Sequence, residues 1–175
     1  LLLLAKQGYF DVIVHGCNCF CTMGAGIAKT IKSEFPEAYI ADQAYDLEIP
    51  ADFPALAFDR DKNPVTVNGV ALGKKLFYEG RLSRNNSISC GFCHIQENAF
   101  THHGHPVSHG IDNRLGIRNA PPIQNMAFLS NYTWDGVSHN LDERSLVPIT
   151  TDFEMDSSMP EVVGKLNADA NYKKL

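Results

Sequence analysis

Two cysteines three positions apart with a histidine directly behind them, Cys90-Gly91-Phe92-Cys93-His94, constrain this chain more than any other five residues. Three chemistries use such a frame. A redox dithiol uses the two thiols alone. A zinc site needs two further ligands at comparable spacing. A covalent haem anchor uses all three groups, the cysteines as thioethers and the imidazole on iron. The spacing suits the last case because one helical turn sets both sulfurs against one porphyrin edge while the imidazole points at the metal. The dithiol reading wants a preceding strand in a βαβ context, and neither flanks Cys90. His102, His103, His105 and His109 are available to zinc, which ranks second; the first three read chiefly as polar loop residues.

The surrounding pattern is helical. "TVNGVALGKKLFYEG" puts Val70, Leu72, Leu76 and Phe77 on one helical stripe. "PPIQNMAFL" offers a short helix with Pro at its start, and "NLDERSLVPI" offers another. "SSMPEVVGKLNADANY" carries Ser158 three residues before Glu161, a capping-box signature, with Pro160 in the first turn. Long stretches rich in Gly, His and Asn separate these segments. Compact domains keep structureless loops under about 12 to 15 residues, so loops of this length are expected to wrap something, and a haem would supply the missing core. Before them, "LEIPADFPALAFDRDKNP" reads as an extended connector.

Composition excludes some functions. A formal net charge of −5 with no clustered Lys or Arg argues against nucleic-acid binding. The apolar opening "LLLLA" is far short of the ~20 residues that span a bilayer. The chain opens without Met, which reads as a removed leader or a start partway into something longer.

The stretch "NPVTVNGVALGKKLFYEGRLSRNNSISCGFCHIQENAFT", followed by "VSHGIDNRLGIRNAPPIQNMAF", "WDG" and "FEM", resembles the N-terminal, peroxidatic-haem domain of bacterial di-haem cytochrome c peroxidases and the related methylamine-utilisation enzymes. The resemblance runs over about residues 45–175. It implies a mainly α, cytochrome c-like domain with long loops, holding one covalent haem c on Cys90 and Cys93 with His94 as proximal iron ligand. It implies reduction of hydrogen peroxide with electrons from a small c-type cytochrome or cupredoxin, a periplasmic location, and compatibility with a homodimer. Trp134 matches a tryptophan implicated in electron passage between the haems; the competing reading is a core aromatic anchor. Glu154 matches the distal glutamate that moves protons at the peroxide; the competing reading is a solvated surface charge. Asn119, in the "RN" pair with Arg118, matches a residue of a calcium site; it would otherwise brace the turn before Pro121. Where many relatives carry a displaceable histidine cap this chain has Ile111, so either His109 caps the iron or the iron is open, the latter being favoured. Arg144 stands where the family often has glutamine. A second Cys-x-x-Cys-His domain is expected after the first, and none follows within these 175 residues.

Residues 1–44 read differently. "DVIVH" is a strand, "CNCFCTMGAG" a small-residue loop and "IAKTIKSEF" a helix stopped by Pro36. This run resembles the start of an ADP-ribose-binding macrodomain of the phage and bacterial kind. By that resemblance Asn18 would touch a ribose, and Gly24, Ala25, Gly26 and Ile27 would offer backbone N–H groups to a diphosphate. Cys17, Cys19 and Cys21 read as partly buried thiols. The two parts imply different compartments, so the chain reads as a fusion or composite joined near Ala44-Tyr45, with domains 1–44 and 45–175. The alternatives to a peroxidase are an ADP-ribose-binding fragment and a non-catalytic c-type electron carrier.

Overall fold

The computed structural model describes residues 45–46, 48–58, 64–102 and 104–172. The macrodomain-like fragment, with Asn18, Gly24, Ala25, Gly26 and Ile27, lies outside them, as does His103. Five short α-helices and several 3-10 turns make up the regular structure among the described residues. Ile95–Thr101 and His109–Leu115 are isolated antiparallel bridges, each closing a loop.

Helix α1 (Val67–Phe77) begins where the extended Thr66 accepts the Gly69 N–H on its hydroxyl, satisfying one orphan donor of the first turn. Its end carries Lys74 and Lys75, the sign that suits a helix C-terminus. Leu76 and Phe77 are buried, and Leu72 packs against the core beside them. Helix α2 (Cys90–Cys93) is a single turn, closed by the His94 N–H on the Cys90 carbonyl at 2.9 Å. "NLDERSLVPI" forms two turns, α3 (Leu141–Arg144) and α4 (Val147–Thr150). The Asn140 side chain caps α3 by accepting from the N–H groups of Asp142 and Glu143. Helix α5 (Met159–Asn167) starts at the Ser158 cap, whose hydroxyl accepts from the Glu161 N–H at 3.4 Å. The helix expected from Pro121 shrinks to one 3-10 turn, Met126–Phe128. Asn125 just before it has φ 56°, a left-handed conformation that no right-handed helix passes through.

The core gathers Leu76 of α1, Leu82, Ile88, Ile111, Ile149 of α4, Met155, Val162 and Leu166 of α5, and Tyr172. Tyr172 is fully buried and donates its hydroxyl to Glu79 at 2.8 Å. Arg81 grips the same carboxylate through two nitrogens, at 2.9 and 2.7 Å, and reaches Asp169 at 3.0 Å. Lys75 lies over the Tyr172 ring, 4.0 Å from its centroid. This knot closes the segment after α5 onto α1.

A second tie matters more for function. Lys165 of α5 donates to the carbonyls of Ser83 and Arg84 at 2.7 and 3.1 Å. The Ser83 hydroxyl donates to the Gly80 carbonyl and accepts from the N–H groups of Ser87 and Ile88. Residues 83–88 are thereby locked on the core, and they deliver the chain directly into α2. The connector before α1 has no regular element among its described residues, yet it is anchored: the Ala57 N–H reaches the Ala127 carbonyl at 2.7 Å, and Phe53 meets Phe128 edge-on.

Candidate active site

Helix α2 presents its groups to a cavity of about 460 Å³. Cys90, Cys93 and His94 line one side, Glu154 and Arg144 another, and Trp134 the rim. Gly91 sits under the Tyr78 ring, where a Cβ would stand 2.6 and 2.8 Å from its carbons and push that exposed ring aside. The turn is wedged against α1 at that point.

His94 is oriented by a hydrogen bond between Nδ1 and the Phe100 carbonyl at 2.9 Å. A carbonyl can only accept, so Nδ1 carries the proton and Nε2 keeps the lone pair a metal takes up. Burial pushes the imidazole below its ordinary value; the Phe100 and Pro121 carbonyls oppose that, and the Arg144 charge adds to it. The ring is therefore neutral at pH 7. Phe100 is held in turn by its own N–H on the Ile95 carbonyl, and Thr101 by its hydroxyl on the Ala120 carbonyl.

Burial, with the Glu154 carboxylate adding to it, pushes the Cys93 thiol up to about 12. A redox dithiol needs a depressed thiol pKa, and a zinc thiolate needs the anion. Cys93 sits in the opposite environment, which suits a neutral thiol that forms a thioether. The described residues that converge on a point a metal ion could occupy are His102, His105 and His109, with neither cysteine among them. The dithiol and the cysteine–zinc readings both lose ground on this geometry.

Glu154 reaches the cavity from the turn after α4. Its carbonyl accepts the Ile111 N–H at 2.8 Å, and its own N–H bonds Thr151 at 3.1 Å. The carboxyl is largely buried, which raises its pKa, while the Arg144 guanidinium pulls it back. It is no solvated surface charge. Arg144 thus faces both Glu154 and His94, a relation that no local sequence signal carried. Ile111 is fully buried in the core and does not line the cavity.

Trp134 is 61% exposed, which rules out the core-anchor reading. Its indole N–H donates to the Asn119 carbonyl at 2.8 Å, and Arg118 pairs with Asp135 at 2.7 Å, so two bonds pin the rim. Asn119 uses its side-chain oxygen on the Ala120 N–H and its amide nitrogen on the His102 carbonyl. Those bonds brace the turn before Pro121. His109 contributes backbone to the cavity wall: its carbonyl faces Cys93 Sγ at 3.8 Å. Its ring packs with those of His102, His105 and Phe92.

Residues 67–175 match the family model for di-haem cytochrome c peroxidases. The chain belongs to that family. Its members bind haem c, and the family is one of haem-dependent oxidoreductases of the peroxidase type. The methylamine utilization protein MauG of Methylorubrum extorquens is 37% identical over 119 residues, covering 65% of this chain and 32% of that protein. The cytochrome c551 peroxidase of Pseudomonas aeruginosa is 36% identical over 122 residues, covering 70% and 34%. Among solved structures, a MauG-like protein associated with microbial copper homeostasis superposes with a TM-score of 0.68 at 34% identity, covering 75% of this chain and 39% of that one. The chain spans about a third of the length of the curated relatives it matches. These likenesses bear out a mainly helical haem-protein fold. They lend no support to the macrodomain resemblance of residues 1–44. No described helix is long and apolar enough to cross a membrane.

Proposed function

We propose that residues 45–175 form a haem c domain that reduces hydrogen peroxide to water, working in the periplasm with electrons from a small c-type cytochrome or cupredoxin. The observation that carries this reading is one cavity lined at once by Cys90, Cys93, His94 and Glu154. The donor set fits haem c: two free thiols on one turn, and an imidazole whose Nδ1 is already engaged by the Phe100 carbonyl. Cys90 and Cys93 would hold the group by thioethers and His94 would ligate its iron. When bound, haem c supplies the electrons for cleaving the O–O bond.

The chain's own residues handle the protons. Reduction of H2O2 to two waters takes up two electrons and two protons, and heterolysis needs one proton moved from the near oxygen to the departing one. The Glu154 carboxylate accepts that proton and returns it. Burial keeps its basicity above that of a surface carboxylate, and Arg144 keeps the charged form accessible. Trp134, at the exposed rim, is the electron relay in this reading. The His109 ring is occupied with two other imidazoles, which favours an open distal face over a histidine cap.

The test is Glu154→Gln in chain matured with haem. The absorption spectrum should be preserved while the reaction with peroxide slows by about 10²- to 10⁴-fold. In the parent, the rate should rise with pH through a value above the ordinary carboxylate range, and the variant should lose that limb. An unchanged rate removes Glu154 from the proton chemistry; a parent chain that holds haem but does not react with peroxide would instead be an electron carrier.

A further inference from the structure

Three imidazoles meet outside the cavity chemistry described so far. His102, His105 and His109 come from one loop, and each offers a ring nitrogen within 4.8 Å of the others. Their ring centroids lie 5.1, 4.8 and 4.9 Å apart. We propose that these three histidines form a second metal centre, a tri-imidazole site for a borderline divalent transition ion of the Cu²⁺ or Zn²⁺ class.

The distances suit that class. A point equidistant from three atoms no more than 4.8 Å apart lies at most about 2.8 Å from each. Zinc–imidazole bonds are about 2.0–2.1 Å, so each nitrogen has to close by less than about 0.8 Å. Small ring rotations provide that. Neutral imidazole is the donor shared by Zn²⁺ and Cu²⁺, whereas Mg²⁺ and Ca²⁺ want oxygen, and no carboxylate belongs to this cluster.

An independent observation points the same way. Nδ1 of His109 is buried and has no hydrogen-bond partner in the structure. A buried polar nitrogen left unpaired is unfavourable, and a metal bond would satisfy it. The loop is also braced as a ligating loop would be. The Asn119 amide holds the His102 carbonyl at 2.7 Å, and the bridge between His109 and Leu115 fixes the other end. His102 is buried, His109 half-buried and His105 exposed, so the ion would enter past His105 and keep a solvent-facing coordination position.

The centre would sit directly behind the haem anchor. The Phe92 ring, between Cys90 and Cys93 in sequence, is 5.7 Å from that of His102 and 5.4 Å from that of His109. An ion here stiffens the back of α2 and commits the His109 ring away from any cap role. The site stands whether or not the peroxidase reading does, since none of its ligands is a haem ligand or a proton carrier.

The experiment is calorimetric titration of the untagged, haem-matured chain, stripped with chelator, using Cu²⁺ and separately Zn²⁺. Electron paramagnetic resonance of the Cu²⁺ form then counts the coordinated nitrogens. One equivalent bound through three imidazole nitrogens is expected, with Cu²⁺ tighter than Zn²⁺. His105→Ala should abolish that equivalent; its side chain is exposed, so the fold, followed by circular dichroism, should not change. His139→Ala, at an exposed position outside the cluster, should leave binding as it was. An equivalent that survives His105→Ala, or a copper signal with fewer than three imidazole nitrogens, overturns the proposal.

Discussion

Gly110→Ala tests whether the site depends on how two distant segments pack. An alanine Cβ at position 110 would stand 2.5 Å from the Phe153 carbonyl oxygen and 2.6 Å from Glu154 Cα, and closer still to the Glu154 carbonyl oxygen. All three are backbone atoms, so no side-chain rotation relieves the overlap. Gly110 has φ −120°, outside the left-handed region, so the argument rests on the overlap alone. Normal contact is about 3.5 Å, and the 153–154 backbone must therefore retreat by roughly 1 Å. That movement breaks the Ile111 N–H bond to Glu154 and carries the carboxylate away from the cavity. Overpacking costs about 1–3 kcal/mol and the lost bond about 1 more, a fall in Tm of roughly 5–15 °C for a chain of this size. A misplacement of about 1 Å is expected to slow the peroxide reaction by about 10²-fold. The assay pairs a thermal melt with the peroxide reaction rate of haem-matured protein, and the haem spectrum checks that the cofactor is still attached. A variant with parental Tm and parental rate would refute the reasoning outright.

Two further outcomes follow from the same geometry. Cys90→Ala and Cys93→Ala should each leave haem attached by one bond, and the double variant should release it to acid–acetone; haem that stays with the double variant contradicts the thioether assignment. Glu79 is held at about 2, below its ordinary 4.5, first by hydrogen bonds from Arg81 and then by that from Tyr172. A depressed carboxylate contributes stability that is present above about pH 4.5 and lost as pH falls through about 2. Glu79→Gln should therefore cost about 1–3 kcal/mol in urea unfolding at pH 7 and flatten the acid limb; an unchanged limb would show that the knot around Tyr172 contributes nothing.

Local rules were enough for most features that depend on neighbours in the chain. The Cys90–His94 frame pointed to the proposed haem anchor because one turn sets its geometry, and the Ser158 cap and the α1 stripe were visible for the same reason. The family motifs added candidate roles for Glu154 and Trp134, but not their surroundings. Only tertiary packing buried Glu154 beside Cys93 and Arg144, left Trp134 on the exposed rim, and put Ile111 into the core. Those outcomes turn on contacts between segments ten to more than forty residues apart, such as Gly110 against Phe153, which no local period encodes. The left-handed Asn125 shows the same limit at short range: a Pro-led run reads as helix until one residue's backbone is seen to forbid it. The three histidines show it most sharply. In the sequence His102 and His105 read as polar loop residues and His109 as a candidate iron cap, and folding the loop back on Phe92 makes the three a ligand set.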